Sequence, residues 1–181
     1  RSCLLTQIRI PGGNLNLARM ATSDTGSTPP SVGIIIIGDE ILKGRTQDTN
    51  GHFISQRLTK LGLKVEKRSV VGDSVPKIKE EVQSFASKFN FVITSGGIGP
   101  THDDVTFQAI AEAFDDKLEA HPDLVNFIGN YFKTKDLSSP PMKMAHIPST
   151  SQLVYPEDKT TGYKSIYPVI NVKNVTILPG V

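Results

Sequence analysis

The sequence predicts an α/β fold built on a mostly parallel sheet, and three observations carry that expectation. Apolar, strand-like runs alternate three times with segments of helical periodicity between residues 32 and 114. The first run, Val32-Gly33-Ile34-Ile35-Ile36-Ile37-Gly38, is continuous and rich in β-branched residues, as in a strand buried on both faces of a parallel sheet. Glycine-rich polar clusters follow the first and third runs, at the sheet edge where open α/β folds bind ligands. Such alternation calls for right-handed crossovers.

Residues 1–31 precede this pattern and differ from it. They hold Gly12-Gly13 and the run Ser23-Asp24-Thr25-Gly26-Ser27-Thr28-Pro29-Pro30-Ser31, without sustained periodicity. Such a segment cannot bury enough apolar surface to offset its ordering entropy, so a disordered tail is expected. Its first 20 residues carry Arg1, Arg9 and Arg19 and no acid, a slight likeness to an organelle transit segment. A mitochondrial location follows if that reading holds, and a cytoplasmic one otherwise. The alternative is an upstream or untranslated-derived stretch, with Met20 as a possible start.

After the first strand, a helix is expected over 50–61, with Phe53, Ile54, Leu58 and Leu61 at helical spacing and Gly62 ending it. Residues 63–71 read as a second strand. A helix over 76–89 places Ile78, Val82, Phe85, Ala86 and Phe89 on one face, with Pro76 near its first turn. Residues 91–94 form a third strand that runs into Ser95-Gly96-Gly97. A helix over 105–114 follows, with Asp104 as its expected N-cap. Beyond it the pattern loosens: a helix from His121-Pro122 through Tyr131, and a loop at Ser138-Ser139-Pro140-Pro141. A hairpin is expected with arms over 153–155 and 163–169, then a last strand over 174–178. The chain closes on Pro179-Gly180-Val181, at the lip of a loop, and is expected to be a fragment of a longer protein.

Composition narrows the function classes. The net charge of +2 comes wholly from residues 1–31; the other 150 residues balance at 17 basic and 17 acidic. That neutrality argues against a nucleic-acid partner. The longest aliphatic stretch, Ile34 to Ile37, falls far short of the roughly 20 residues a membrane helix needs. A single cysteine, Cys3, excludes an internal disulfide framework and a multi-cysteine zinc site, which fits a reducing compartment.

The chemistry is expected in the two clusters. Gly38-Asp39-Glu40-Ile41-Leu42-Lys43-Gly44 and Thr46-Gln47-Asp48-Thr49-Asn50 follow the first strand; Ser95-Gly96-Gly97-Ile98-Gly99-Pro100-Thr101-His102-Asp103-Asp104 follows the third. Glycines after a buried strand let the backbone come close to a ligand, and successive amides beside a helix start form a seat for an anion. Thr101 and His102 are candidate further donors to a phosphate. Asp39, Glu40, Asp48, Asp103 and Asp104 either bridge a divalent cation, Mg²⁺ or Mn²⁺ by their hard oxygens, or hold loop amides. The glycine spacing is neither a Walker loop nor a dinucleotide fingerprint, and no serine nucleophile elbow appears. His52 and His121 read as surface or capping residues, and spacing assigns no role to His146.

Taken together and in order, these motifs resemble the molybdopterin-binding-like (MoaB, MogA and CinA-like) domain, most closely the N-terminal domain of eukaryotic FAD synthases. Leu178-Pro179-Gly180-Val181 matches the start of another family loop, and the resemblance covers about residues 32–181. It implies a three-layer α/β/α fold, often assembled as a trimer, with a dimer as the other expected homo-oligomer. It implies catalytic roles for Asp39, Asp48 and Asp104, with Asp48, Asp103 and Asp104 toward a metal (Mg, Mn or Co). Gly38, Glu40, Asn50, Ser95, Gly96, Gly97, Gly99, Thr101 and His102 are the residues expected to hold FAD or a related nucleotide. CinA-like relatives are metal-dependent pyrophosphatases on compounds such as ADP-ribose, and the FAD-synthase relatives are expected to split FAD into FMN and AMP here. Their synthase reaction belongs to a separate C-terminal domain resembling PAPS reductases, which this sequence does not contain. The alternative expectation is a non-catalytic nucleotide-sensing module; the Pro100-Thr101-His102-Asp103-Asp104 form of the loop counts against a molybdenum-cofactor enzyme.

Overall fold

The isoleucine run becomes an interior strand of a six-stranded sheet, one place in from its edge, and its alternation supplies both cores. The computed structural model describes residues 28–157, 162 and 165–180, so nearly all of the expected tail lies outside the described residues. Strand β1 (Ser31–Ile37) leads through a one-turn helix α1 (Asp39–Leu42) into α2 (Thr49–Lys60) and then β2 (Lys64–Val71). Helix α3 (Val75–Lys88), β3 (Phe91–Ser95) and α4 (Thr106–Ala113) complete the second half of the alternation.

Ile35 and Ile37 pack with Ile78, Val82 and Phe85 of α3 and with Phe107 and Ile110 of α4. Val32, Ile34 and Ile36 point the other way, onto Ile54 and Leu58 of α2. Side chains of successive strand residues leave opposite faces, so one run seeds two cores and the helices must lie on both sides. Each fully buried isoleucine stabilises the fold by roughly 1.5–3 kcal/mol.

The sheet order is β2-β1-β3-β8-β7-β6. β2, β1, β3 and β8 (Val175–Leu178) run parallel; β7 (Val169–Val172) and β6 (Gln152–Val154) are antiparallel to their neighbours. The architecture is thus the expected three-layer α/β/α arrangement on a mostly parallel sheet.

Several expectations are corrected. Phe53 is 46% exposed, with the Arg57 guanidinium 5.1 Å from its ring centroid, so α2 buries a narrower stripe than its apolar spacing implies. The expected last strand is one arm of a hairpin: β7 turns through Lys173 (φ 50°) and Asn174 into β8. Asn174 Nδ2 donates to the carbonyls of Ala86 and Phe89, both at 3.0 Å, locking that turn against the end of α3. The expected 153–155 arm pairs as β6 with β7, but the second arm begins only at Val169; Tyr163 and Lys164 lie outside the described residues.

A two-stranded sheet was not anticipated: β4 (Leu118–Ala120) pairs antiparallel with β5 (His146–Pro148). Between them run α5 (Pro122–Phe132) and a 3₁₀ helix over Pro140–Ala145, which takes up part of the expected loop.

Candidate functional site

Strand order decides where the site lies. From β1 the chain crosses to β2 on one side, then returns to β3 on the other. The loops leaving the carboxyl ends of β1 and β3 therefore diverge and open a crevice, the topological switch point of an open α/β sheet. A cleft of about 540 Å³ occupies it, walled by the loop after β1, the turn after β3, Asp73 from the β2–α3 loop, and Gly180 beyond β8.

The floor is the turn after β3. Gly96 and Gly97 have φ of 111° and 63°, left-handed conformations that side-chain-bearing residues rarely adopt. A Cβ on Gly96 would lie 2.0 Å from the Ile37 carbonyl oxygen, and one on Gly97 2.4 Å from Thr106 Oγ1. The turn is held from both sides: Gly96 N–H donates to Leu178 O (3.2 Å), and Thr106 donates through its hydroxyl to Gly96 O (2.9 Å) and through its amide to Gly97 O (3.1 Å). The amides of Gly97, Ile98 and Gly99 donate to no group among the described residues. A run of uncommitted amides before a helix start is a seat for an anion.

Asp104 does not cap α4. The N-cap is Val105, without a side-chain hydrogen bond. Asp104 Oδ2 instead accepts the Thr101 amide (2.8 Å) and the Thr101 hydroxyl (2.6 Å), closing the 101–104 turn on itself. Gly99 leaves room for this carboxylate, since a Cβ there would meet Asp104 Oδ2 at 2.6 Å. The Thr101 hydroxyl, expected to reach a ligand, thus spends its proton on Asp104. Lys143, from the 3₁₀ helix, donates to the carbonyls of Thr101 (2.5 Å) and His102 (3.3 Å) and ties the turn to the layer behind it.

The loop after β1 supplies the facing wall. The Gly38 amide bonds Val71 O at 3.0 Å, and the α1 turn then brings Asp39 and Glu40 to the cleft. Lys43, one turn on, hydrogen-bonds Asp39, and this bond holds the Asp39 carboxyl below, and the Lys43 ammonium above, their ordinary ranges. Asp48 caps α2: its Oδ1 accepts Gly51 N–H at 2.7 Å. Its buried Oδ2 has no hydrogen-bond partner, and Arg68 Nε lies 3.8 Å away. Asn50 Nδ2 donates to Ser95 Oγ (3.1 Å), whose own proton goes to Pro179 O (3.2 Å), so three walls are stitched together.

Asp73 and Arg45, both on the cleft, were not named by the sequence reading. Asp73 accepts the Asp39 amide at 2.9 Å, and burial raises its carboxyl above the usual range, helped by the charges of Glu40, Asp39 and Asp103. A lone aspartate in a Gly-Asp-Ser turn carries no signal of its own; only the parallel crossover sets it beside the other loops. The structure brings Gly38, Asp39, Glu40, Asp48, Asn50, Ser95, Gly96, Gly97, Thr101, Asp103 and Asp104 to one cleft. Gly99 shapes the turn without lining the cleft, and His102 is exposed outside it.

A protein-held metal set is not assembled from Asp48, Asp103 and Asp104. Among the described residues no three His, Cys, Asp or Glu side chains converge as metal ligands. Asp48 and Asp104 are engaged in capping and turn closure, and Asp103 is exposed. The arrangement suits a cation in another way: an acidic rim around an anion seat, where a hard cation takes one or two carboxylates and completes its shell with ligand phosphates. Among the described residues no helix is long and apolar enough to cross a membrane.

Comparison with known proteins agrees with this reading of the fold. Residues 33–181 match the family described as "Probable molybdopterin binding domain". The chain is 44% identical over 163 residues to a protein of Caenorhabditis briggsae named "Probable FAD synthase", covering 82% of this chain and 31% of that protein. A Caenorhabditis elegans protein of the same name is 40% identical over the same coverage. The chain thus spans about a third of the length of these relatives. Among solved structures, the CinA protein of Thermoplasma acidophilum superposes with a TM-score of 0.74 at 33% identity, covering 86% of this chain and 90% of that one. MoaB of Thermus thermophilus, at 23% identity and a TM-score of 0.50 over 84% and 82% of the two chains, shares the fold. With its matched residues running from the first strand through the cleft to the last, the chain belongs to the molybdopterin-binding-domain family.

Proposed function

We propose that this domain binds a dinucleotide pyrophosphate, FAD or a relative such as ADP-ribose, and hydrolyses it to two mononucleotides with a divalent cation, Mg²⁺, Mn²⁺ or Co²⁺. The observation that supports the reading is the pairing, in one cleft, of uncommitted amides at Gly97 and Ile98 with a rim of carboxylates. An anion seat alone binds phosphate, whereas carboxylates beside it repel phosphate unless a cation comes with it. Asp103 and Asp73, both lining the cleft, would take the cation, which would neutralise phosphate charge and polarise the phosphorus–oxygen bond.

The chain's own residues do the rest. The Gly97 and Ile98 amides hold one phosphate and stabilise charge growing on its oxygens. Asp48, which lines the cleft, is assigned the orienting of the attacking water. No side-chain nucleophile is required. The nematode relatives' name supports a flavin ligand, and in a longer protein the domain would stand beside a synthase domain that makes FAD from FMN and ATP.

A second reading, a nucleotide-sensing module without turnover, is favoured by one observation: Asp39, Asp48 and Asp104 all hold loop architecture. Incubating the chain with FAD and each cation, with FMN and AMP followed by chromatography, separates the two. Cation-dependent release of both products, lost in Asp48→Ala, supports hydrolysis. Bound FAD without release supports the sensing module.

A further inference from the structure

Two cationic side chains line the cleft among the described residues, Lys43 and Arg45. Six carboxylates line it with them: Asp39, Glu40, Asp48, Asp73, Asp103 and Asp104. Lys43 is already bound to Asp39. Arg45 makes no side-chain hydrogen bond and no ion pair among the described residues, although acidic groups surround the same cleft. Arg45 is exposed, and its guanidinium, hydrated and committed to no carboxylate in the free chain, is available to a ligand's phosphate.

The backbone beneath it is fixed rather than loose. Gly44 turns the chain out of α1 at φ 69°, and the Glu40 carbonyl accepts both the Arg45 amide (2.8 Å) and the Thr46 amide (3.1 Å). The root of the side chain is therefore set on the wall after β1, facing the same cleft as the amide seat after β3. The guanidinium fork matches two phosphate oxygens at once, which an ammonium cannot do.

We infer that Arg45 is the specificity-determining residue that holds the ligand's second phosphate, so that the cleft selects diphosphate-bridged ligands over monophosphates. This rests on the dinucleotide reading above and deepens it: the glycine turn takes one phosphate, and Arg45 takes the next along the bridge. Monophosphates reach only one of the two seats at a time.

The test is calorimetric titration of the chain with FAD, FMN and AMP, in buffer containing Mg²⁺, for wild type, Arg45→Met and Arg45→Lys. Wild type binds FAD more tightly than either monophosphate. Arg45→Met narrows that gap by about 10-fold, the scale of one charge-assisted contact, and Arg45→Lys recovers part of it. The melting temperature stays the same in both variants, because the side chain bonds to nothing in the free protein. An undiminished gap in Arg45→Met overturns the role of Arg45 while leaving the dinucleotide reading intact. Wild-type protein that binds none of the three overturns that reading, and this inference with it.

Discussion

A methyl group at residue 96 would lie 2.0 Å from the Ile37 carbonyl oxygen, on a backbone with φ of 111°. Backbone strain of that kind costs on the order of 1–3 kcal/mol before the clash is added. Gly96→Ala should therefore lower stability by at least about 2 kcal/mol, read as a fall in the urea midpoint. Asp73 gives a prediction of the opposite sign. Its folded carboxyl titrates above the ordinary aspartate value, chiefly through burial, so the folded state holds the proton more tightly than the unfolded chain. Stability from this group is greatest below the ordinary range and declines as pH rises through the raised value. Asp73→Asn keeps an oxygen for the Asp39 amide and removes the charge, so it should raise the melting temperature at pH 7 and flatten this decline. A lower melting temperature at pH 7 would contradict that assignment. At this scale the glycine turn and the aspartates after β1 were legible in the sequence, because their spacing carries backbone requirements. Asp73 and Lys143 were not: Lys143 meets Thr101 across 42 residues, and no local pattern records such a contact.

Helices α2 to α4 and strands β1 to β3 follow the sequence reading to within about two residues at each end, the usual uncertainty of element limits. Their apolar periods are long enough to fix both type and face. The β4–β5 pair is different: three-residue strands, one of them fully exposed, give no alternation to read. A side-chain clasp beside them does the stabilising. Asp116, just past α4, accepts Ser149 Oγ (2.6 Å) and Lys117 N–H (2.8 Å) on one oxygen, and the Thr150 amide (3.0 Å) and hydroxyl (2.7 Å) on the other. Burial opposes its charge, but these hydrogen bonds prevail and hold the carboxyl well below the usual range. The sign is thus the reverse of Asp73: the stabilisation is present above the ordinary carboxyl range and lost as pH falls through the depressed value. Asp116→Ala should cost about 1 kcal/mol at pH 7, screened by solvent, and the gap to wild type should begin to narrow only below about pH 4 and close as pH falls through the depressed value. Urea melts at pH 7 and in steps through the acid range below pH 3 check both halves of that statement.

For the molecule as a whole, one strand couples two cores to one cleft. Gly33 in β1 makes room for the Phe85 ring, which is fully buried and meets Phe89 edge-on at 5.1 Å; a Cβ at Gly33 would sit 2.4 Å from that ring. Phe85→Ala should cost about 3–5 kcal/mol in calorimetry, with the cavity opening under β1. The same strand ends at Ile37, whose carbonyl sets the height of Gly96 and so the depth of the anion seat. Core and cleft are therefore expected to loosen together, and Phe85→Ala should also weaken FAD binding. The measurement that tests the central claim most directly is amide chemical-shift mapping of the ¹⁵N-labelled chain titrated with FAD and Mg²⁺. Saturating shifts centred on Gly97, Ile98 and Gly99, and extending to Arg45 and Asp73, are the expected result. Shifts centred elsewhere, such as the exposed Tyr131 and Phe132 at the end of α5, would contradict the assignment of this cleft.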